Sequence, residues 1–201
     1  MAFTYFFRDK QTLDYAIEQL LPRVSGKSKI KIWDAGCASG QEPYTFAILL
    51  AEKMGKFSFK NVEIHATDVD ISNQFGELIS TGIYPYAELQ RIPEDLFLKY
   101  FQKHETLTDT FQVIYELRSK VKYKREDLLS FVPTSNDFSL VICKNVLLHQ
   151  NYEQRIKILE MFYSSLSTGG LLVMEQTQKL PDELSEKFEL LAVNAQAYRK
   201  I

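Results

Sequence analysis

At 201 residues, with 45% hydrophobic and 25% charged positions, the chain has the composition of one folded domain with a substantial core. A formal net charge of −2 excludes a global basic field that would recruit nucleic acid or an anionic membrane, and no apolar run approaches the roughly 20 residues needed to insert across a bilayer. The start, MAFTYFFRDKQ, has no signal-peptide pattern, and Cys37 and Cys143 make no disulfide framework, so a reduced, cytoplasmic protein is expected.

No repeat or linker divides the chain, so residues 1–201 are read as one domain, opening with an arm and helix over 1–24. Leu13, Ile17, Leu20 and Leu21 recur at helical spacing within Lys10–Val24. Ile30–Ala35 reads as a buried strand that breaks into Gly36. Pro43–Met54 opens with proline and continues as an apolar helix. Val62–Asp68 is a second strand and Ile71–Ser80 a helix ending before Gly82. Ala87–Phe101 holds one or two short helices interrupted at Pro93. Phe111–Tyr115 and Val121–Tyr123 read as short strands and Phe138–Cys143 as an apolar one. An amphipathic helix over Tyr152–Leu166 then turns at Gly169-Gly170 into the strand Leu171–Met174. The tail carries a helix near Pro181–Lys187 and a last strand pair ending near Ala195–Arg199.

Strands alternating with helices imply an α/β fold with an open, mostly parallel sheet covered on both faces, whose ligands bind beyond the carboxyl ends of the strands. The polar clusters fall there: Asp34–Gly40, Asp68–Asp70, Asp127–Leu128 and Lys144–His149.

In D-A-G-C-A-S-G-Q-E, Gly36 and Gly40 permit a tight turn and close backbone approach. The run is neither GxGxxG nor a P-loop. Glu42 caps amides at a helix start but repels phosphate. It suits an ammonium group, such as the methionine amine of S-adenosylmethionine. A plain β–α turn remains the bland alternative. Asp68 in A-T-D-V-D can accept from both hydroxyls of a ribose, whereas Asp70 reads as an N-cap. In E-D-L-L an acidic side chain can accept from an adenine amino group while Leu128 packs on the ring; an ordinary loop is the alternative. In C-K-N-V-L-L-H, Asn145 can position a substrate or the methionyl part of a cofactor, and His149 is either a general base or a surface histidine. Cys37 and Cys143 end neighbouring strands and read as small buried apolar residues, too few ligands for a metal. In F-F-R-D, Thr4 and Arg8 share a face if helical. Arg8 suits a lid over a carboxylate-bearing ligand, against the alternative of a flexible arm.

Together T-Y-F-F-R-D, W-D-A-G-C-A-S-G-Q-E-P-Y, A-T-D-V-D, R-I-P-E-D, L-R-S-K-V-K-Y-K-R-E-D-L-L and C-K-N-V-L-L-H resemble the CheR family, the methyltransferases that esterify glutamates of bacterial chemotaxis receptors. The resemblance implies a Rossmann-like class I methyltransferase with a seven-stranded sheet, one reversed strand and a small β-insertion at about 105–120, within which Phe111–Ser119 falls. It implies that Thr4, Arg8, Glu42, Asp68, Asp127, Leu128, Lys144 and Asn145, with Gly36 in the loop, line an S-adenosylmethionine pocket whose product is S-adenosylhomocysteine. It implies that Arg8, Asn145 and His149 act at the transfer site on a protein substrate such as a chemoreceptor or signalling protein. Family members usually carry a helical domain ahead of F-F-R, so the chain reads as a short or truncated form. It departs from the family at Gln41-Glu42, Asp127, Lys144-Asn145, His149 and Glu175–Gln178. Cofactor-facing positions are mostly kept and acceptor-facing ones mostly changed. The alternatives are a cofactor-binding regulatory module without catalysis, a methyltransferase with another N or O acceptor, and a nucleotide-binding α/β protein, against which Glu42 argues.

Overall fold

The computed structural model describes residues 4–201, and the first three residues of the expected arm lie outside the described residues. Helix α1 (Lys10–Val24) leads to strand β1 (Ile30–Ala35), helix α2 (Gln41–Phe59), strand β2 (Val62–Asp68) and helix α3 (Phe75–Thr81). Next come β3 (Ile83–Pro85), α4 (Tyr86–Leu89), α5 (Glu94–Tyr100), β4 (Phe101–Lys103), β5 (Thr110–Val113) and α6 (Tyr115–Arg118). The chain closes with β6 (Val121–Arg125), β7 (Phe138–Cys143), α7 (Tyr152–Ser165), β8 (Leu166–Met174), β9 (Phe188–Ala192) and β10 (Ala197–Lys200).

A seven-stranded sheet runs in the order β6-β2-β1-β7-β8-β10-β9. Only β10 is reversed, pairing antiparallel with β8 and β9. This is the expected Rossmann-like α/β sheet. The chain moves outward from β1 through β2 to β6, then returns to lay β7 against the other side of β1. The crevice beyond β1 and β7 is therefore the topological switch point, where such sheets bind ligands.

Alternation along β1 builds two cores. Ile30 and Ile32 join Leu13, Ile17 and Leu20 of α1 and Phe46 and Ile48 of α2 on one face. Trp33 and Ala35 join Ile158, Leu159 and Phe162 of α7 on the other. Trp33 stacks edge-on against Phe162 at 5.1 Å and donates its indole N–H to Thr67 Oγ1 at 2.8 Å, so its polar atom is satisfied. Strand β7 is buried throughout, as a central parallel strand must be.

Several boundaries move for local reasons. Helix α3 starts at Phe75 rather than Ile71, because Asp70 and Asn73 take positive φ and the Asp70 carboxylate accepts from the amides of Gln74 and Phe75. Helix α2 begins at Gln41, runs past Met54, and breaks at Gly55, where φ is 73°. The expected strand over Phe111–Tyr115 ends at Val113 and passes into α6. The small antiparallel sheet, in the order β3-β5-β4, draws on residues 83–113, a wider and earlier stretch than 105–120. Gly169-Gly170 does not end a turn before a strand. Strand β8 runs through it with a shift of register against β7, and Gly169 supplies a positive φ of 73°. The helix expected near Pro181–Lys187 is a single 3₁₀ turn at Asp182–Leu184.

Candidate functional site

The loop from β1 to α2 folds by backbone geometry that its glycines allow. Gly36 and Gly40 sit at φ 96° and 97°, a region open to glycine. A β-carbon on Gly36 would overlap the Val146 side chain. The Gly36 and Cys37 amides donate to the Thr67 carbonyl at 2.7 and 3.0 Å, which ties the loop to β2. Tyr84, from the small sheet, donates its hydroxyl to the Ser39 carbonyl at 2.8 Å.

The N-terminal segment is packed rather than loose. Phe6 is fully buried, edge-on to Tyr84 at 5.0 Å and to Phe101 at 5.7 Å. The Phe7 amide donates to Thr45 Oγ1 of α2 at 3.0 Å. Residues 6–9 form a turn and residues 4–5 are irregular, not the helix that would have put Thr4 and Arg8 on one face. The anchored phenylalanine nevertheless brings both residues to the crevice.

That crevice is a cavity of about 450 Å³. Thr4, Arg8, Gly36, Glu42, Asp68, Lys144, Asn145 and His149, eight residues singled out from the sequence, line it, with Val69, Val146 and Leu148 adding apolar wall. Asp127 and Leu128 are not among its lining residues. Asp127 is exposed and accepts from the Leu129 amide at 2.9 Å, capping a 3₁₀ turn, while Leu128 packs into the core on the α7 side. Both stand next to the crevice through Glu126, whose amide donates to the Asp68 carbonyl at 2.8 Å.

Charge is crowded on the crevice floor. The Lys144 ammonium, on a side chain 1% exposed, lies 2.9 Å from Glu42 Oε2 and 3.2 Å from Asp9 Oδ2. Burial works against its charge, but Glu42 and Asp9 outweigh that and hold Lys144 above the ordinary lysine value. Asp34 is buried beside them, and neither of its oxygens has a hydrogen-bond partner. Burial first, then Glu42 and Asp68, push its carboxyl well up, against the pull of Lys144. Glu175, beyond β8, accepts from the Asn145 amide at 2.7 Å and so fixes Asn145 in its left-handed conformation, φ 59°. Its carboxyl is raised by burial. Asp68 is bound differently. Its two oxygens accept from the amides of Ala38, at 3.0 Å, and Asp70, at 2.9 Å, and a carboxylate has lone pairs left for further donors. Asp70 is a structural cap, accepting also from the Tyr123 hydroxyl at 3.0 Å. Cys37 and Cys143 are free and buried, with thiols raised by burial, which makes them unreactive packing residues.

Asp9 was not singled out in the sequence, and Asp34 and Glu175 appeared there only within the Asp34–Gly40 cluster and the Glu175–Gln178 departure, with no role of their own. Asp34 had a signal, an acid at a buried position of a strand whose other charge, Lys31, is half-buried. Glu175 follows the apolar run of β8 in the same way.

The model of the CheR methyltransferase SAM-binding domain matches residues 2–197. This chain belongs to the CheR family. A chemotaxis protein methyltransferase of Borreliella burgdorferi is 35% identical over 88% of this chain and 64% of its own length. One of Listeria innocua is 28% identical over 87% of this chain and 64% of its own. The chain thus spans a little under two thirds of those relatives. A solved structure of PKMT2 from Rickettsia typhi in complex with AdoHcy superposes with a TM-score of 0.49 at 15% identity, covering 87% of this chain and 26% of that one. As a CheR SAM-binding domain, the chain takes S-adenosylmethionine as its cofactor. The crevice fits it. Among the described residues Asp34 has two orphaned acceptors, and the acids Asp34, Glu42 and Asp9 outnumber Lys144 and the partly exposed Arg8, which suits a ligand carrying an ammonium and a sulfonium. Among the described residues no helix is long and apolar enough to cross a membrane.

Proposed function

We propose that this chain is the catalytic domain of a cytoplasmic S-adenosylmethionine-dependent methyltransferase that esterifies glutamate carboxylates on a protein partner, a chemoreceptor or related signalling protein. The observation that carries this reading is the sorting of charge in one crevice. The acids are packed on the floor around Lys144, while Arg8, about a quarter exposed and 3.9 Å from Asp9, stands with Thr4, Asn145 and His149 along the lining.

When bound, the cofactor supplies a methyl group on a sulfonium. Glu42 and Asp34 hold its ammonium and Asp68 its ribose hydroxyls. Gly36 and Ala38 let the backbone approach closely. Asp127 and Leu128, at the neighbouring strand end, complete the adenine side. Arg8 pairs with the acceptor carboxylate and Asn145 orients it. A glutamate, with a reference pKa of about 4.3, is already ionised at neutral pH, so alignment and partial desolvation suffice and no proton has to be removed. His149 then has no catalytic task. It gains one as a proton acceptor if the nucleophile is an amine or hydroxyl.

The test is transfer from radiolabelled S-adenosylmethionine to membranes of chemotactic bacteria. The expected product loses its label as methanol in mild base, and His149→Ala keeps the rate within about twofold, as for a residue outside the proton path. A base-stable product, or a large loss in His149→Ala, identifies a different acceptor. Binding of S-adenosylhomocysteine without any turnover identifies a regulatory module.

A further inference from the structure

The other end of α2 walls a second cavity, roughly 20 Å along the helix from Glu42 by its rise per residue. It measures about 420 Å³, close to the cofactor crevice in size. Its walls are apolar: Ala51 and Phe59 of α2, Tyr100 of α5, and Ile114 and Leu117 around α6. Gly55, where α2 breaks, lies in the same wall. A pocket of this volume, apolar inside with a few polar groups at its edge, has the build of a small-molecule site.

The edge is basic although the chain as a whole is slightly acidic. Lys56, Lys60, Lys99 and Lys120 surround the cavity, with Glu52 and Glu116 opposite. Glu52 is spoken for. It accepts from Lys99 at 2.5 Å and from the Tyr100 hydroxyl, and these bonds hold its carboxyl below the usual range. Lys120 donates to the Lys60 carbonyl at 2.7 Å, which fixes it at the rim. Lys56 makes no ion pair or hydrogen bond among the described residues, and the Lys60 ammonium has only the Phe57 ring beneath it, at 5.9 Å. Among the described residues, Lys56, Lys60 and Lys120 thus line the cavity with Glu116 as the one lining acid besides the occupied Glu52. The adjoining surface adds Lys29 and Lys122, whose shared partner Glu63 is also taken by His65. Apolar walls and an uncompensated cationic rim together select for a molecule with one apolar and one anionic end.

We propose that this cavity is a second ligand site, distinct from the cofactor crevice, for a small amphipathic anion: an acyl- or aryl-sized apolar body seated on Phe59, Tyr100 and Leu117, with a carboxylate, sulfonate or phosphate head at Lys56, Lys60 and Lys120. The inference stands whether or not the chain transfers methyl groups.

The probe is 8-anilinonaphthalene-1-sulfonate, titrated by fluorescence with the crevice blocked by saturating S-adenosylhomocysteine. Saturable binding at one site is expected. The double variant Lys56→Glu/Lys60→Glu weakens it about tenfold, the worth of one lost charge-assisted contact, and Ala51→Phe, which narrows the cavity, weakens it too. Both variants keep the wild-type melting temperature and S-adenosylhomocysteine affinity. Decanoate displaces the probe, while decyltrimethylammonium and inorganic phosphate do not. The head group is then sorted by comparing decanoate with decyl phosphate. No saturable binding, equal binding by the charge-reversed variant, or displacement by the cationic amphiphile or by phosphate alone would overturn the proposal.

Discussion

Two sets of carboxylates stand at the same edge of the sheet and are held in opposite ways. Asp34 and Glu42, at the end of β1 and the start of α2, gather with Asp9 about a lysine shut off from water. Asp68 and Asp127, beyond β2 and β6, take backbone amides as donors and keep contact with solvent. The first set is short of positive charge and is suited to a cation. The second is already hydrogen-bonded, carries no comparable strain, and is suited to hydroxyl and amino groups that add to existing bonds. One edge is thus suited to both ends of a ligand that is ionic at one end and polar at the other.

The contrast predicts effects of different size. Lys144→Ala leaves Glu42 without its counter-charge in a dry setting, and removing one partner of a buried pair costs about 3–5 kcal/mol. Urea denaturation should show that loss, with most of it recovered in Lys144→Met/Glu42→Gln. A loss under about 1 kcal/mol, the surface ion-pair range, would mean that water reaches the cluster. Asp68→Ala should weaken S-adenosylhomocysteine binding by about 1–3 kcal/mol in calorimetry, the cost of unpaired polar partners, with a smaller change in stability.

The pH dependence should separate the sets as well. The folded chain keeps a proton on Asp34 that the unfolded chain releases in the ordinary carboxylate range. Stability without cofactor therefore falls as pH rises above that range, until Asp34 ionises in the folded state. One proton gives a slope of at most about 1.4 kcal/mol per pH unit, and Asp34→Asn should remove it above the ordinary carboxylate range. Lys144, held above its ordinary value, contributes stability that is complete below that value and is lost only as pH climbs through its folded value. It leaves the neutral window flat. An unchanged slope in Asp34→Asn would assign the proton elsewhere. Asp127→Ala should have the smallest effect, about 0.5 kcal/mol of stability for an exposed cap, with any change in cofactor affinity read separately by calorimetry.

Strands β1, β2 and β7 were legible residue for residue: β7 is a run buried on both faces, while β1 and β2 set apolar residues between polar ones before stopping at glycine or charge. The edges of the small sheet were not. Strands of three and four residues, half-exposed, carry too few alternations to signal their state. The loops around Gly36, Asp68 and Asn145 announced a ligand site by residue type and by position at strand ends. Sequence alone, together with its likeness to one family, determined the sheet and the class of cofactor and pointed to the edge proposed to bind it, since each rests on local pattern and on topology that local pattern implies.

Only the tertiary structure decided how charge is shared at that edge. Asp9 meets Lys144 because Phe6 is anchored between Tyr84 and Phe101, and Asn145 is posed by Glu175 from another strand. Such partners lie far apart in the chain. Their distances, and the burial that sets their protonation, come from how α1, α2 and the sheet pack together, and no short stretch of sequence contains that information.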